Sequence, residues 1–174
     1  MNYAKIRNLD IANGLGVRVS LFVSGCTNNC PNCFNPELQD FKYGKEFTED
    51  TLKEIIDLLK DDVISGLTIL GGEPLCQDIG GLLVLKRLCD IVNFELHKNV
   101  WIYTGFKWED IKHDTGNYKE DFKYELLHAA DVVVDGPYID KLSDCFLKFR
   151  GSSNQRIIDV QHTLIKGEVV ELKI

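Results

Sequence analysis

The chain has 174 residues, 44% of them hydrophobic, enough to bury one sizeable core and too few for two comfortable domains. Its formal charge of -7 gives no long-range attraction for phosphate backbones, and no dense Lys/Arg run restores one locally, so nucleic acid is excluded as an expected partner. The opening "MNYAKIRNLD" lacks the apolar core of a signal peptide and no later stretch reaches membrane-spanning length, so the expectation is one soluble, cytoplasmic domain over residues 1–174, with no membrane partner.

In chain order, "NGLGVR" (13–18) reads as a glycine turn entering a strand rather than a phosphate loop, because no helix follows it. "VRVSLFVSG" (17–25) is β-branched and stopped by glycine, the pattern of a buried strand. Residues 47–62 predict a helix: Thr48 can cap it, Glu49 and Asp50 suit its positive end, and Leu52, Ile55, Ile56 and Leu59 share a face. "GLTILGGEP" (66–74) predicts the next strand. The helix after it, over 81–95, has Leu82, Leu85, Leu88, Cys89 and Val92 as its stripe. There follow a strand at 99–105, a polar helical stretch near 107–112, a surface loop at 113–121, a helix near 122–130 and a strand at 130–137. "RIIDV" (156–160) predicts a last strand, and "HTLIKG" is expected to pair with "EVVELKI". Strands alternating with helices give an α/β fold with a parallel sheet, whose ligand sites gather at the C-terminal strand ends. Three such ends carry unusual residues: the loop after the first strand, "GGEP" and "YTG".

Six cysteines in a chain that can build its own core read as reduced thiols rather than disulfides. Cys26, Cys30 and Cys33 lie together in "SGCTNNCPNCFNPE" at C-x3-C-x2-C spacing, with no histidine nearby. A structural zinc site wants a closed set of four ligands. A [4Fe-4S] cluster also has four irons to ligate, and three thiolates leave one iron open to a small molecule. The triad therefore predicts an iron-sulfur cluster, with a zinc site or unrelated loop thiols as the alternatives. Cys76 follows "GGEP" and could approach this loop, but it reads first, like Cys89 and Cys145, as a small half-buried thiol. Arg18, alternating with apolar neighbours, is either a buried structural cation or a cofactor-side one.

The cysteine triad followed one strand later by "GGEP" resembles the radical S-adenosylmethionine superfamily. Together with "NGLGVR", "LFVSGC" (21–26), "CPNCFNPE" (30–37), "GGEPL" (71–75), "YTG" (103–105), "VDGPY" (134–138) and "RGSSNQR" (150–156), it resembles the activating enzymes of anaerobic ribonucleoside-triphosphate reductase. The resemblance implies an open, partial (β/α) barrel of about five parallel strands with the cluster at its C-terminal edge. It implies that Cys26, Cys30 and Cys33 each hold one iron of a single [4Fe-4S] cluster, whose fourth iron takes the amino and carboxylate groups of S-adenosyl-L-methionine. It further implies reductive cleavage of that cofactor to a 5'-deoxyadenosyl radical, which takes hydrogen from a glycine of the reductase. A reduced flavodoxin-like carrier is the implied electron donor.

Gly71 and Gly72 allow backbone to approach such a cofactor, and Glu73 offers an acceptor for its ammonium group. Asn32 and Phe34 flank the last cysteine and are expected beside the cofactor. Many members of the superfamily carry an aromatic or apolar residue where Asn32 stands, which leaves backbone contact as its expected role. "RGSSNQR" reads as a solvated loop, while the resemblance implies a place at the active-site mouth or the reductase interface, and Trp101, Tyr103, Phe106 and Trp108 read as packing aromatics. The core elements use nearly all the chain and leave no domain to enclose a small substrate, so a docked protein loop fits the opening. Another small radical enzyme and a simple iron-sulfur electron carrier are the competing readings.

Overall fold

The computed structural model describes residues 1–174, folded as mixed α/β around one open seven-stranded sheet. Strand β1 (Asn2–Asp10) pairs antiparallel with β2 (Val17–Val23), and the two-residue β3 (Lys45–Glu46) pairs outside β1. From β2 the sheet continues in parallel through β4 (Ile64–Gly71), β5 (Asn99–Tyr103) and β6 (Val132–Asp135). Strand β7 (Arg156–Asp159) then pairs antiparallel with β6. The parallel set is thus β2, β4, β5 and β6, four strands instead of five. A parallel return needs a crossover long enough to carry the chain back across the sheet. Between β6 and β7 there is only a loop with one short 3-10 turn, Asp140–Leu142, so the chain reverses. Strand β1 was not foreseen because its burial is irregular along its length, with Lys5, Arg7, Asn8 and Leu9 all exposed.

Helices α1 (Glu49–Leu59), α2 (Ile79–Asp90) and α3 (Tyr118–His128) connect the parallel strands. Thr48 caps α1 reciprocally with Thr51, each side chain accepting the other's N–H. Asp78 caps α2 through the Gly81 N–H at 2.8 Å, and its stripe of Leu82, Leu85, Leu88 and Cys89 is fully buried. Asn117 caps α3, so that helix begins four residues before the expected position and the loop shortens to 113–117. The expected pairing of 162–167 with the tail is replaced by helix α4 (Val160–Lys166). Its caps outweigh the β-branched content: Asp159 accepts the His162 N–H, and Gly167 ends the helix at φ 71°. The tail pairs with β7 instead, through Asp159 N–H to Val170 O and Leu172 N–H to Ile157 O.

The strand registers separate two faces. Val19, Leu67 and Val100 lie at one level of the helix-covered face and Leu21, Ile69, Ile102 and Val133 at the next, in one core with the buried residues of α1, α2 and α3. The opposite face carries Ser20, Thr68, Trp101 and Val132, then Phe22 beside Leu70 and Tyr103 beside Val134. Arg18 is fully buried on this second face. It donates to the Thr68 hydroxyl (2.6 Å), Asn99 Oδ1 (2.7 Å) and the carbonyls of Leu67 (2.6 Å) and Leu15 (3.1 Å), and its guanidinium lies 5.4 Å from the Trp101 ring centroid. Burial lowers its pKa to about 10, which still leaves a charged group at neutral pH. These partners make Arg18 a structural cation. The glycine turn before β2 supplies part of its cover, with Gly14 and Gly16 at φ 130° and 79°.

Candidate functional site

The loops at the C-terminal ends of the parallel strands surround a cleft of about 460 Å³. The cysteine loop leaves β2 through Gly25, whose φ of 98° turns the chain out of the sheet. Gly72 lets the ends of β2 and β4 meet: its N–H bonds the Val23 carbonyl, and the Glu73 N–H bonds that of Gly25, both at 2.8 Å. Cys26, Cys30, Cys33, Phe34, Gly71, Gly72 and Glu73 all line the cleft, so the site residues expected from sequence converge there with one exception. Asn32, in left-handed backbone at φ 55°, instead donates its side-chain amide to Asp140 Oδ2 at 2.9 Å. Phe34 is 71% exposed and its ring centroid stands 4.9 Å from that of Tyr138. Loops from β2 and β6 therefore touch across the front of the cleft.

The three cysteines are free and partly buried. Burial pushes the Cys26 thiol up to about 11, against a backbone hydrogen bond from Asn28 that lowers it. That bond, Asn28 N–H to Cys26 Sγ, is 3.4 Å long. A cubane takes each thiolate at a different iron. Three thiols of one loop that all line the same cleft fit that group. Cys76 does not line the cleft; its Sγ lies 3.1 Å from the Thr27 hydroxyl. Cys76 is half-buried as expected, whereas Cys89, on the apolar stripe of α2, is fully buried in the core and Cys145, in the loop after β6, is exposed.

Glu73 is 1% exposed. Desolvation raises its pKa, and hydrogen bonds from Gly105, Leu75, Thr104 and Asn28 oppose the rise. The far wall of the cleft has polar groups that the motifs alone did not assign. The Tyr103 hydroxyl and Arg150 Nε are buried and have no hydrogen-bond partner, and both residues line the cleft. Unsatisfied buried donors beside an open cleft suit a polar ligand. Tyr103 was visible within "YTG" and Arg150 within "RGSSNQR", but neither spacing shows which side chain faces inward.

The "VDGPY" and "RGSSNQR" blocks hold each other. Arg156 bonds Asp135 through Nε at 2.9 Å and through Nη2, and reaches Glu109 with two further bonds at 2.9 and 2.8 Å. Gln155 accepts the N–H groups of Gly151 and Ser152 and donates to the Gly136 carbonyl. Asn154 donates to the Pro137 carbonyl at 2.8 Å. This polar loop is a clamp on the β6 end, and Arg150, at the edge of the cleft, joins it through Nη1 to the Gln155 carbonyl at 2.9 Å.

Residues 12–158 match the family model described as a 4Fe-4S single cluster domain. The anaerobic ribonucleoside-triphosphate reductase-activating protein of Enterobacteria phage T4 is 37% identical over 163 residues, 90% of this chain and 93% of its own. Its counterpart from Pasteurella multocida (strain Pm70) is 38% identical over 160 residues, covering 90% and 96%. That from Escherichia coli (strain K12) is 34% identical over 159 residues, covering 89% and 96%.

Proposed function

This chain belongs to the family of anaerobic ribonucleoside-triphosphate reductase-activating proteins, and from that premise we propose that it installs a glycyl radical on such a reductase, using one [4Fe-4S] cluster and S-adenosyl-L-methionine. The observation that carries the proposal is the convergence of the cysteine triad and the Gly-Gly-Glu turn on one cleft. The chemistry supplied when cluster and cofactor are bound is one-electron cleavage of the sulfonium carbon-sulfur bond, yielding methionine and a 5'-deoxyadenosyl radical able to take hydrogen from a glycine α-carbon.

In this reading Cys26, Cys30 and Cys33 would each hold one iron as a thiolate, and Cys26 would have to give up the proton that burial favours. Gly71 and Gly72 bring backbone to the cofactor, and Glu73 contributes a negative charge for its cationic groups. Phe34 offers an apolar wall at the mouth. Asn32 borders the site from the outer side of the loop and contributes backbone, its side chain being engaged by Asp140. Tyr103 and Arg150 line the same cleft and hold a buried, unpartnered hydroxyl and Nε behind its wall.

We read residues 1–174 as one radical S-adenosylmethionine domain and its open sheet as a partial barrel. What supports this is the run of four parallel strands in chain order with their connecting helices packed in one core, since right-handed crossovers taken always in one direction put every helix outside. No helix is long and apolar enough to cross a membrane, and we assign the reaction to the cytoplasm with a flavodoxin-like reductant.

The test is anaerobic. The cluster is reconstituted, S-adenosyl-L-methionine, reductant and the cognate reductase are added, and 5'-deoxyadenosine is assayed beside the electron paramagnetic resonance spectrum. A glycyl-radical doublet on the reductase, absent with Cys30→Ala, is the expected outcome. Formation of 5'-deoxyadenosine without the doublet would refute the partner, and formation of neither on an intact cluster would favour an electron carrier.

A further inference from the structure

Both oxygens of the Glu73 carboxylate are already filled by this chain. Oε1 accepts from the Thr104 hydroxyl at 2.8 Å and the Leu75 N–H at 3.0 Å. Oε2 accepts from the Gly105 N–H at 2.7 Å and from Asn28 Nδ2 at 3.1 Å. An ionised carboxylate offers about four lone-pair positions, so these four donors leave none for a ligand. They also come from three different strand ends: Asn28 follows β2, Leu75 follows β4, and Thr104 and Gly105 follow β5. One buried side chain thereby joins the loops on which the cleft is built.

The bond to Asn28 has a consequence for the cluster loop. Asn28 gives its side-chain amide to Glu73 and its backbone N–H to Cys26 Sγ. The same residue thus connects the carboxylate to a thiol. Gly105 provides a second, independent sign of this tie. A Cβ there would lie 2.2 Å from Asn28 Nδ2 and 3.4 Å from Glu73 Oε2, so the lack of a side chain at 105 is what admits the Asn28 amide.

We propose that Glu73 is a positioning residue that acts through Asn28, holding the cysteine loop and the N–H bond to Cys26 in place, rather than a hydrogen-bonding contact of the cofactor. The proposal rests on Cys26 being a cluster ligand, but the tie itself belongs to the polypeptide and is measurable without any cluster. With the cluster in place, an N–H donor on a ligand sulfur stabilises the more negative, reduced state. Loosening that donor lowers the reduction potential.

The experiment has a cluster-free arm and a loaded arm. Amide hydrogen exchange is followed over residues 26–35 of the cluster-free protein for wild type, Asn28→Ala, Gly105→Ala, Glu73→Gln and the double variant Asn28→Ala/Glu73→Gln. Each single change is expected to speed exchange there about tenfold or more, the scale supported by one hydrogen bond to a charged group. The double variant should exchange no faster than Glu73→Gln alone, because both changes remove one path. After reconstitution, Asn28→Ala and Gly105→Ala should lower the cluster's potential, since neither alters charge. Wild-type exchange in both of these variants, together with weaker S-adenosyl-L-methionine binding in Glu73→Gln alone, would overturn the proposal. An additive double variant would overturn it too. If Glu73→Gln fails to fold, the Asn28 and Gly105 variants still decide, being changes at partly exposed loop positions. Failure of the wild type to form a glycyl radical would refute the function and leave the exchange result standing.

Discussion

At the scale of single residues, the glycines of "GGEP" show what a motif conveys and what it omits. Their type announces close approach, but the sequence leaves the approaching group unnamed. A Cβ at Gly72 would lie 2.6 Å from the Gly25 carbonyl oxygen and 2.7 Å from that of Leu38. Both obstacles are backbone and cannot swing aside. Gly72→Ala is therefore expected to destabilise the fold by about 1–3 kcal/mol, read as a lower urea midpoint with unchanged slope. Glu109 makes a contrasting case, since nothing around it in sequence marks it as paired. The hydrogen bonds from Arg156 hold its carboxyl at about 2, below the ordinary 4.5. A folded-state pKa that is depressed adds stability above the unfolded value and loses it as pH falls toward the folded one. The contribution is thus complete above 4.5 and disappears toward about 2. Thermal melts through that window should show a shallower acid decline for Glu109→Gln than for wild type, with a small difference because Glu109 is 55% exposed.

At the scale of elements, the buried parallel strands and the first two helices were legible because their apolar residues repeat at a clear period. The stripe of α2 and the Thr48 cap of α1 both stand where the pattern put them. Thr48→Ala should cost about 1 kcal/mol, measurable by thermal or urea unfolding. The margins of the sheet were less legible, for a physical reason. Strand β1 has a neighbour on its outer side at only two residues, so it lacks clean alternation, and α4 is specified more by Asp159 and Gly167 than by its apolar content. The tail's affinity for strand pairing was readable in "EVVELKI", but its partner β7 is set by tertiary packing. Removing residues 168–174 should bare the ladder of β7, where Ile157 and Ile158 are buried. Self-association of the truncated protein in size-exclusion chromatography is the expected result.

At the scale of the whole molecule, local patterns give out. The touch between Asn32 and Asp140 spans 108 positions in sequence, and no periodicity reports that loops from β2 and β6 meet. The polar face beneath them is equally non-local, because Arg18 gathers acceptors from a turn and two other strands. Arg18→Leu would leave the Thr68 hydroxyl, Asn99 Oδ1 and the Leu67 carbonyl without that donor. Each acceptor that water does not reach costs about 1–3 kcal/mol, so a loss large enough to lower the soluble yield and the melting temperature is expected. The borders of the sheet carry a different consequence. On one side β3 is only two residues long, and β1 beyond it presents Lys5 and Arg7 with two breaks in its register; on the other, the tail occupies β7. The first flank is thus short of partners but irregular, and the second is occupied by the chain's own tail, both of which disfavour pairing with a second chain. A visiting chain therefore finds little regular edge to extend, and contact with the rim of the cleft would rest on side chains more than on main-chain pairing.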